Sequence, residues 1–164
     1  MNRRMLGVVA ASLAVTAAIG AATAAVANRI VPARSIGSIA LGHERASIAA
    51  REGDDGVVIA RTPDPAHPGN RNLDAVLVAY PWLSITVRFP TDEASTGASV
   101  VATRSARYRT AAGAGVGTTR PKLLRAHPSA TCAGNVCRLV NSAGRTTRFT
   151  LTGGRVVRVA VSVR

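Results

Sequence analysis

The residues of this 164-residue chain that could do chemistry are two cysteines, three histidines, eight acids and an excess of arginine. Cys132 and Cys137 are separated by four residues, which is neither a redox C-x-x-C nor a zinc half-site. Gly134-Asn135 between them favours a hairpin turn, so the two sulfurs are expected to face each other and bond in an oxidising compartment. His43, His67 and His127 are not spaced as metal pairs and read as helix-start or loop residues. Asp54-Asp55, between Gly53 and Gly56, reads as a solvated turn, because it lacks the alternating ligands of a calcium loop. The glycines of 113–117 match no phosphate-cradling pattern, and there is no G-x-S-x-G. No acid/base pair can be named, so the sequence points away from an enzyme, with no catalytic residue, metal or cofactor expected.

Charge is the strongest signal. The net charge is +13, and all eight acids lie between Glu44 and Glu93. From Arg104 onward there are twelve basic residues and no acid. An arginine-rich, lysine-poor composition is what a GC-rich genome encodes, but base composition does not explain the missing acids. Three of these arginines, Arg138, Arg148 and Arg158, stand ten residues apart.

The elements that would position them are short strands. Cys137 to Val140, Arg145 to Leu151 and Arg155 to Val163 read as an antiparallel meander, with Val157, Val159, Val161 and Val163 on one face. A two-residue Gly153-Gly154 turn would set Phe149 against Arg158, a mismatch of faces. A three-residue loop, Thr152-Gly153-Gly154, sets Phe149 against Val157 and Arg148 against Arg158. The same logic at Ser142-Ala143-Gly144 pairs Cys137 with Phe149 and Arg138 with Arg148. Arg138, Arg148 and Arg158 would then share a patch about 10 Å wide. Such a row either splays into water or binds an anion or partner.

Upstream, Leu73 to Tyr80, Leu83 to Phe89 and Ala98 to Ser105 read as strands, and residues 61–70, rich in proline, as a loop. Tyr80-Pro81-Trp82 is the one aromatic cluster. Alternation places Trp82 on the Ser84/Thr86 face, so Tyr80 and Trp82 either form an interface or fold over the sheet. Leu41-Gly42 and Val116-Gly117 each precede a short helix, with Arg45 and Arg120 three residues after the glycine. The expected fold class is α+β, with two helix-plus-antiparallel-meander repeats at about 36–110 and 111–164 and short helices on one face of the sheet.

The N-terminus is a targeting segment. Arg3-Arg4 precede an uncharged, Ala-rich stretch to Ala27, and Ala25-Val26-Ala27 supplies a small-x-small cleavage site before Asn28. Residues 1–27 are thus a signal peptide or, uncut, a signal anchor through residues 5–27, followed by a tether at 28–35 and one domain at 36–164. Export by the general route or by a twin-arginine route is open, and no lipoprotein cysteine follows the apolar stretch.

The run Ile39 to Ile48, its echo at Val116-Gly117, the His127-Pro128 step before Cys132 and Cys137, and the closing Gly154-Arg155-Val156-Val157 resemble exported proteins of high-GC Gram-positive bacteria. Their repeat is similar to the β-lactamase-inhibitor-protein and outer-membrane assembly small lipoprotein (SmpA/OmlA-like) group. The resemblance implies tandem helix-plus-sheet units with a concave sheet that binds protein. Together these readings predict a secreted or cell-envelope binding module, non-catalytic, whose basic surface takes an anionic cell-wall polymer or an acidic protein. The alternative is a protein-inhibitor-like or envelope-assembly module working through the exposed sheet face. Specific nucleic-acid binding is not expected.

Overall fold

The computed structural model describes residues 28–163, so residues 1–27, read from the sequence as a signal peptide or anchor, lie outside the described residues. The described chain is mostly β, and this corrects the expected α+β repeat fold. Twelve strands form two sheets, and the two α-helices span only eight and seven residues. Several positions around the expected repeats pair as strands, which sequence alternation had not marked.

The smaller sheet is mixed and four-stranded. It holds β1 (Arg29–Val31), β2 (Ser35–Ile36), β3 (Ile39–Ala40) and β8 (Arg109–Thr110), in the order β3-β2-β1-β8. β1 runs parallel to β8, so the residues expected as a tether are built into the fold. Ile30 and Ile36 are fully buried, and the Ala33 amide donates to Thr147 Oγ1 at 2.6 Å.

The larger sheet is antiparallel, with eight strands in the order β4-β5-β6-β7-β12-β11-β10-β9. Its first half is β4 (Val57–Thr62), β5 (Ala75–Tyr80), β6 (Ile85–Phe89) and β7 (Val100–Thr103). Its second half is β9 (Thr131–Ala133), β10 (Val136–Val140), β11 (Thr146–Thr152) and β12 (Arg155–Ser162). The halves join at β7 and β12, where Val161 pairs with Val101 and Ala160 with Ala102.

Alternation decides which face is buried. Val76, Val78 and Tyr80 of β5, Ile85, Val87 and Phe89 of β6, Val101 of β7, Val159 and Val161 of β12, and Phe149 and Leu151 of β11 point to one side. Helices α1 (Arg45–Glu52) and α2 (Arg120–Ala126) close that side, each through one buried residue, Ile48 and Leu123. Both tyrosines and both phenylalanines of the chain are within 1 % of complete burial there, so the scarce aromatics form the centre of the core.

Each helix is launched the same way. Gly42 (φ +83°) and Gly117 (φ +89°) sit three residues before Arg45 and Arg120, in a backbone region that disfavours side chains. The Gly42 amide donates to Ala98 O at 2.8 Å, and the Gly117 amide to Val156 O at 2.7 Å. Those acceptors lie just before β7 and at the start of β12, so each helix is stitched to a strand of the central pair.

Candidate functional site

The side of the large sheet away from the helices carries the alternate residues of the same strands. These are Ala75 and Leu77 on β5, Thr86 and Arg88 on β6, Val100 and Ala102 on β7, Arg158, Ala160 and Ser162 on β12, and Arg148 on β11. Where β7 and β12 pair, Val100, Ala102, Ala160 and Ser162 present only small or short side chains between longer ones. With the sheet's twist, this makes a cleft of about 430 Å³, within the size range of ligand sites. Ala102 and Ala160 form its floor, 1 % and 8 % exposed. Arg88 forms one wall and Arg148 and Arg158 the other.

The register sets those arginines. Arg138 and Arg148 are a directly opposed pair across β10 and β11, and Cys137 opposes Phe149. The third member differs from expectation. Thr152 pairs with Arg155 across a two-residue Gly153-Gly154 turn, and the register then shifts between Thr150 and Leu151. The extra residue is Val157. It swings out, 40 % exposed, while Val156 takes the buried place. The bulge resolves the face mismatch that a two-residue turn creates, so a three-residue loop is not needed. Phe149 therefore opposes Val159 rather than Val157, and Arg148 opposes Ala160. Arg158 sits opposite Thr150, one step off the expected row.

The row thus becomes a cluster. Arg148 and Arg158 line the cleft, whereas Arg138 stands beyond it, beside Arg148. Arg88 joins from the other half of the sheet, and Arg104 follows the end of β7, whose Thr103 pairs with Val159. Period-two alternation with Val87 and Phe89 already places Arg88 on the polar face. Its placement across one cleft from Arg148 needs the β7–β12 junction, which no local pattern encodes.

No acid lines the cleft. The ion pairs among the described residues are Arg45–Asp92, Arg61–Asp92, Arg51–Glu52 and His67–Asp64; none includes a cleft residue, and Asp64 lines an adjoining pocket that shares Thr62, Ala75 and Arg88 with the cleft. Burial, followed by the neighbouring Arg104 and Arg148 cations, pushes the Arg158 pKa below its ordinary value. Arginine nonetheless stays charged, so the folded protein holds a partly desolvated cation without a counter-charge.

Other arginines behave differently. The Arg107 guanidinium donates to Trp82 O, Leu83 O and Tyr108 Oη and lies 4.7 Å from the Tyr108 ring centroid. Arg109 donates to Ala106 O, Gly113 O and Thr118 Oγ1, and Arg155 to Gly117 O. These tie loops together and are engaged within the fold.

The aromatic pair is not an interface as a unit. Tyr80 is completely buried, which corrects its reading as an interface residue. Trp82 lies in a 3₁₀ turn, Pro81–Leu83, instead of a strand, because Ser84 takes a left-handed conformation (φ +54°) that ends the turn. The residue is 41 % exposed, and its ring meets Tyr80 edge-on at 5.7 Å.

Cys132 and Cys137 are directly opposed across the β9–β10 hairpin and bonded, with sulfurs 1.98 Å apart. The histidines lie apart. His43 Nδ1 accepts from the Ala40 amide, His67 pairs with Asp64, and His127 bonds Thr110 Oγ1 and stacks on Phe149. Among the described residues, no group of three or more His, Cys, Asp or Glu could hold a metal, and no helix is long and apolar enough to cross a membrane. Comparison with protein-family profiles, characterised proteins and solved structures finds no match for this chain.

Proposed function

We propose that this chain is an exported, non-catalytic binding module that holds an anionic partner against the open face of its large sheet. The observation that carries the reading is the acid-free cleft, where Arg88, Arg148 and Arg158 from three strands converge without a counter-charge. Like charges gathered on one face destabilise a sheet. A bound anion removes that cost, and a partly desolvated arginine binds it more strongly than one in bulk water. The disulfide supports action in an oxidising compartment, and the apolar stretch behind Arg3-Arg4 supplies the means of reaching it.

A protein of net charge +13 adheres to any polyanion, so the test must separate place from total charge. Retention of the purified protein on immobilised polyglutamate and on immobilised polyphosphate is compared with that of two triple variants. One is Arg88→Gln, Arg148→Gln, Arg158→Gln. The other is Arg29→Gln, Arg71→Gln, Arg125→Gln, three exposed arginines elsewhere. The cleft variant should lose at least tenfold in affinity at moderate salt, and the control less than threefold. Equal losses in both would refute the cleft as the site. Export is tested separately, by mass spectrometry of protein recovered outside the cytoplasm. Cleavage before Asn28 with the thiols oxidised is expected, and a full-length cytosolic protein with free thiols would overturn it.

A further inference from the structure

The lining of the cleft is mixed, and the mixture points to one kind of anion. Besides the three arginines it offers three hydroxyls, Thr62, Thr86 and Ser162, while the rest is alanine, valine and leucine. It contains no aromatic ring and no Asn, Gln, Asp or Glu. A sugar-containing polymer is normally held by side-chain amides and carboxylates on its hydroxyls, and a nucleic acid strand by bases stacked on aromatic rings. Neither finds those groups here. An apolar floor between cationic walls instead matches a chain that alternates acidic and apolar groups.

The spacing sharpens this. Arg88 on β6 and Arg148 on β11 are three strand intervals apart in the sheet order and one two-residue step apart along the strands, about 16 Å in all, a span whose small excess over the peptide repeat the long arginine side chains can close. The two strands between them are β7 and β12, which carry Ala102 and Ala160. In an extended peptide, residues i, i+2 and i+4 share a face, and i and i+4 are about 13 Å apart. We infer that the cleft takes an extended acidic peptide segment of a partner protein, lying across the strands with the pattern acid-x-apolar-x-acid. The two carboxylates meet Arg88 and Arg148, and the apolar residue rests on Ala102 and Ala160. Arg158 stands beside the second carboxylate and joins in holding it. This rests on the proposed function, since it names the anion that the open face takes.

The test uses synthetic nine-residue peptides and the purified full chain, with binding read by fluorescence anisotropy. A peptide centred on Glu-Ser-Leu-Ser-Glu is compared with one of the same composition whose glutamates are adjacent, and with one whose leucine is serine. Both altered peptides should bind at least tenfold more weakly. Arg88→Gln and Arg148→Gln should each weaken the first peptide about tenfold, while Arg125→Gln changes it less than twofold. Equal binding of all three peptides, lost in the cleft triple variant, overturns the peptide pattern and leaves the anionic face standing. Equal binding that survives in the triple variant overturns both. Soluble polyphosphate that competes at lower anion concentration than the first peptide, and needs the same arginines, assigns the cleft to a polymer and also overturns the peptide.

Discussion

Two arginine clusters, one in each half of the large sheet, use the same side chain to opposite ends. Near β4, Arg45 and Arg61 both grip Asp92, whose carboxylate is only 14 % exposed. The charges are matched inside the fold, and the cluster works as a clamp between α1, β4 and the loop after β6. Across the β7–β12 junction, Arg148 and Arg158 approach each other and Arg104 with no acid among them. The first cluster contributes stability. The second costs some, and that cost is the feature on which the proposed binding role rests.

Removing the acid from the first cluster should make it resemble the second. Asp92→Asn leaves two partly buried guanidinium groups facing each other with a neutral acceptor. Hydrogen bonds to charged groups are each worth about 1.5–3 kcal/mol, and the partial exposure of Arg61 reduces its share. The expected loss is about 2 kcal/mol in urea unfolding, with binding to polyglutamate unchanged or slightly stronger. A loss below about 0.5 kcal/mol would show that the clamp is only a surface pair.

The converse change gives the second cluster an acid. Ser162 lies in the cleft on β12, in the same cross-strand row as Arg88 and one two-residue step from the row of Arg148. Ser162→Glu should raise stability by about 0.5–1 kcal/mol at low ionic strength, with the gain fading in high salt. It should also lower affinity for an acidic peptide at least tenfold, because the site then carries its own anion. Stabilisation without loss of binding would separate the unpaired charges from the function proposed for them.

How much of this could be read from residues alone divides along the line between local and distant information. The disulfide followed from a four-residue spacing around Gly134-Asn135, and the Arg138–Arg148 pairing from a turn and an alternation. The position of Arg158 did not. Its register depends on a bulge that ejects Val157, and a bulge has no signature in a run of Val-Val-Arg-Val. The α+β expectation failed because helix signals such as Gly-x-x-Arg are strong and local. Of the two-residue strands, β2 and β3 close local hairpins too short for alternation to mark, and β8 exists only through a partner far along the chain, Arg109 pairing with Arg29. The placement of Arg88 and Arg148 on one cleft is not local either. It requires two meanders to join edge to edge, and nothing within either meander says so.

The smallest expected effect compares the halves through their histidines. His43, before α1, has its pKa lowered by burial and then by the Arg51 cation. His127, after α2, has its pKa lowered by burial alone. In both cases the unfolded chain takes up a proton near the ordinary value of about 6.5 while the folded chain still resists it. Stability is therefore full above that pH and falls as the pH drops through it, levelling once the folded groups are also protonated. The midpoint of thermal unfolding should decrease between pH 7.5 and 5. His127→Gln should remove part of that decrease, since glutamine keeps a hydrogen-bonding group near Thr110 without titrating. Salt distinguishes the two sites. Screening weakens the Arg51 contribution at His43 and leaves desolvation at His127 untouched. The pH dependence that remains in His127→Gln should thus shrink in 0.5 M salt, while that in His43→Gln should not. If both respond alike, the charge asymmetry between the halves does not reach their histidines.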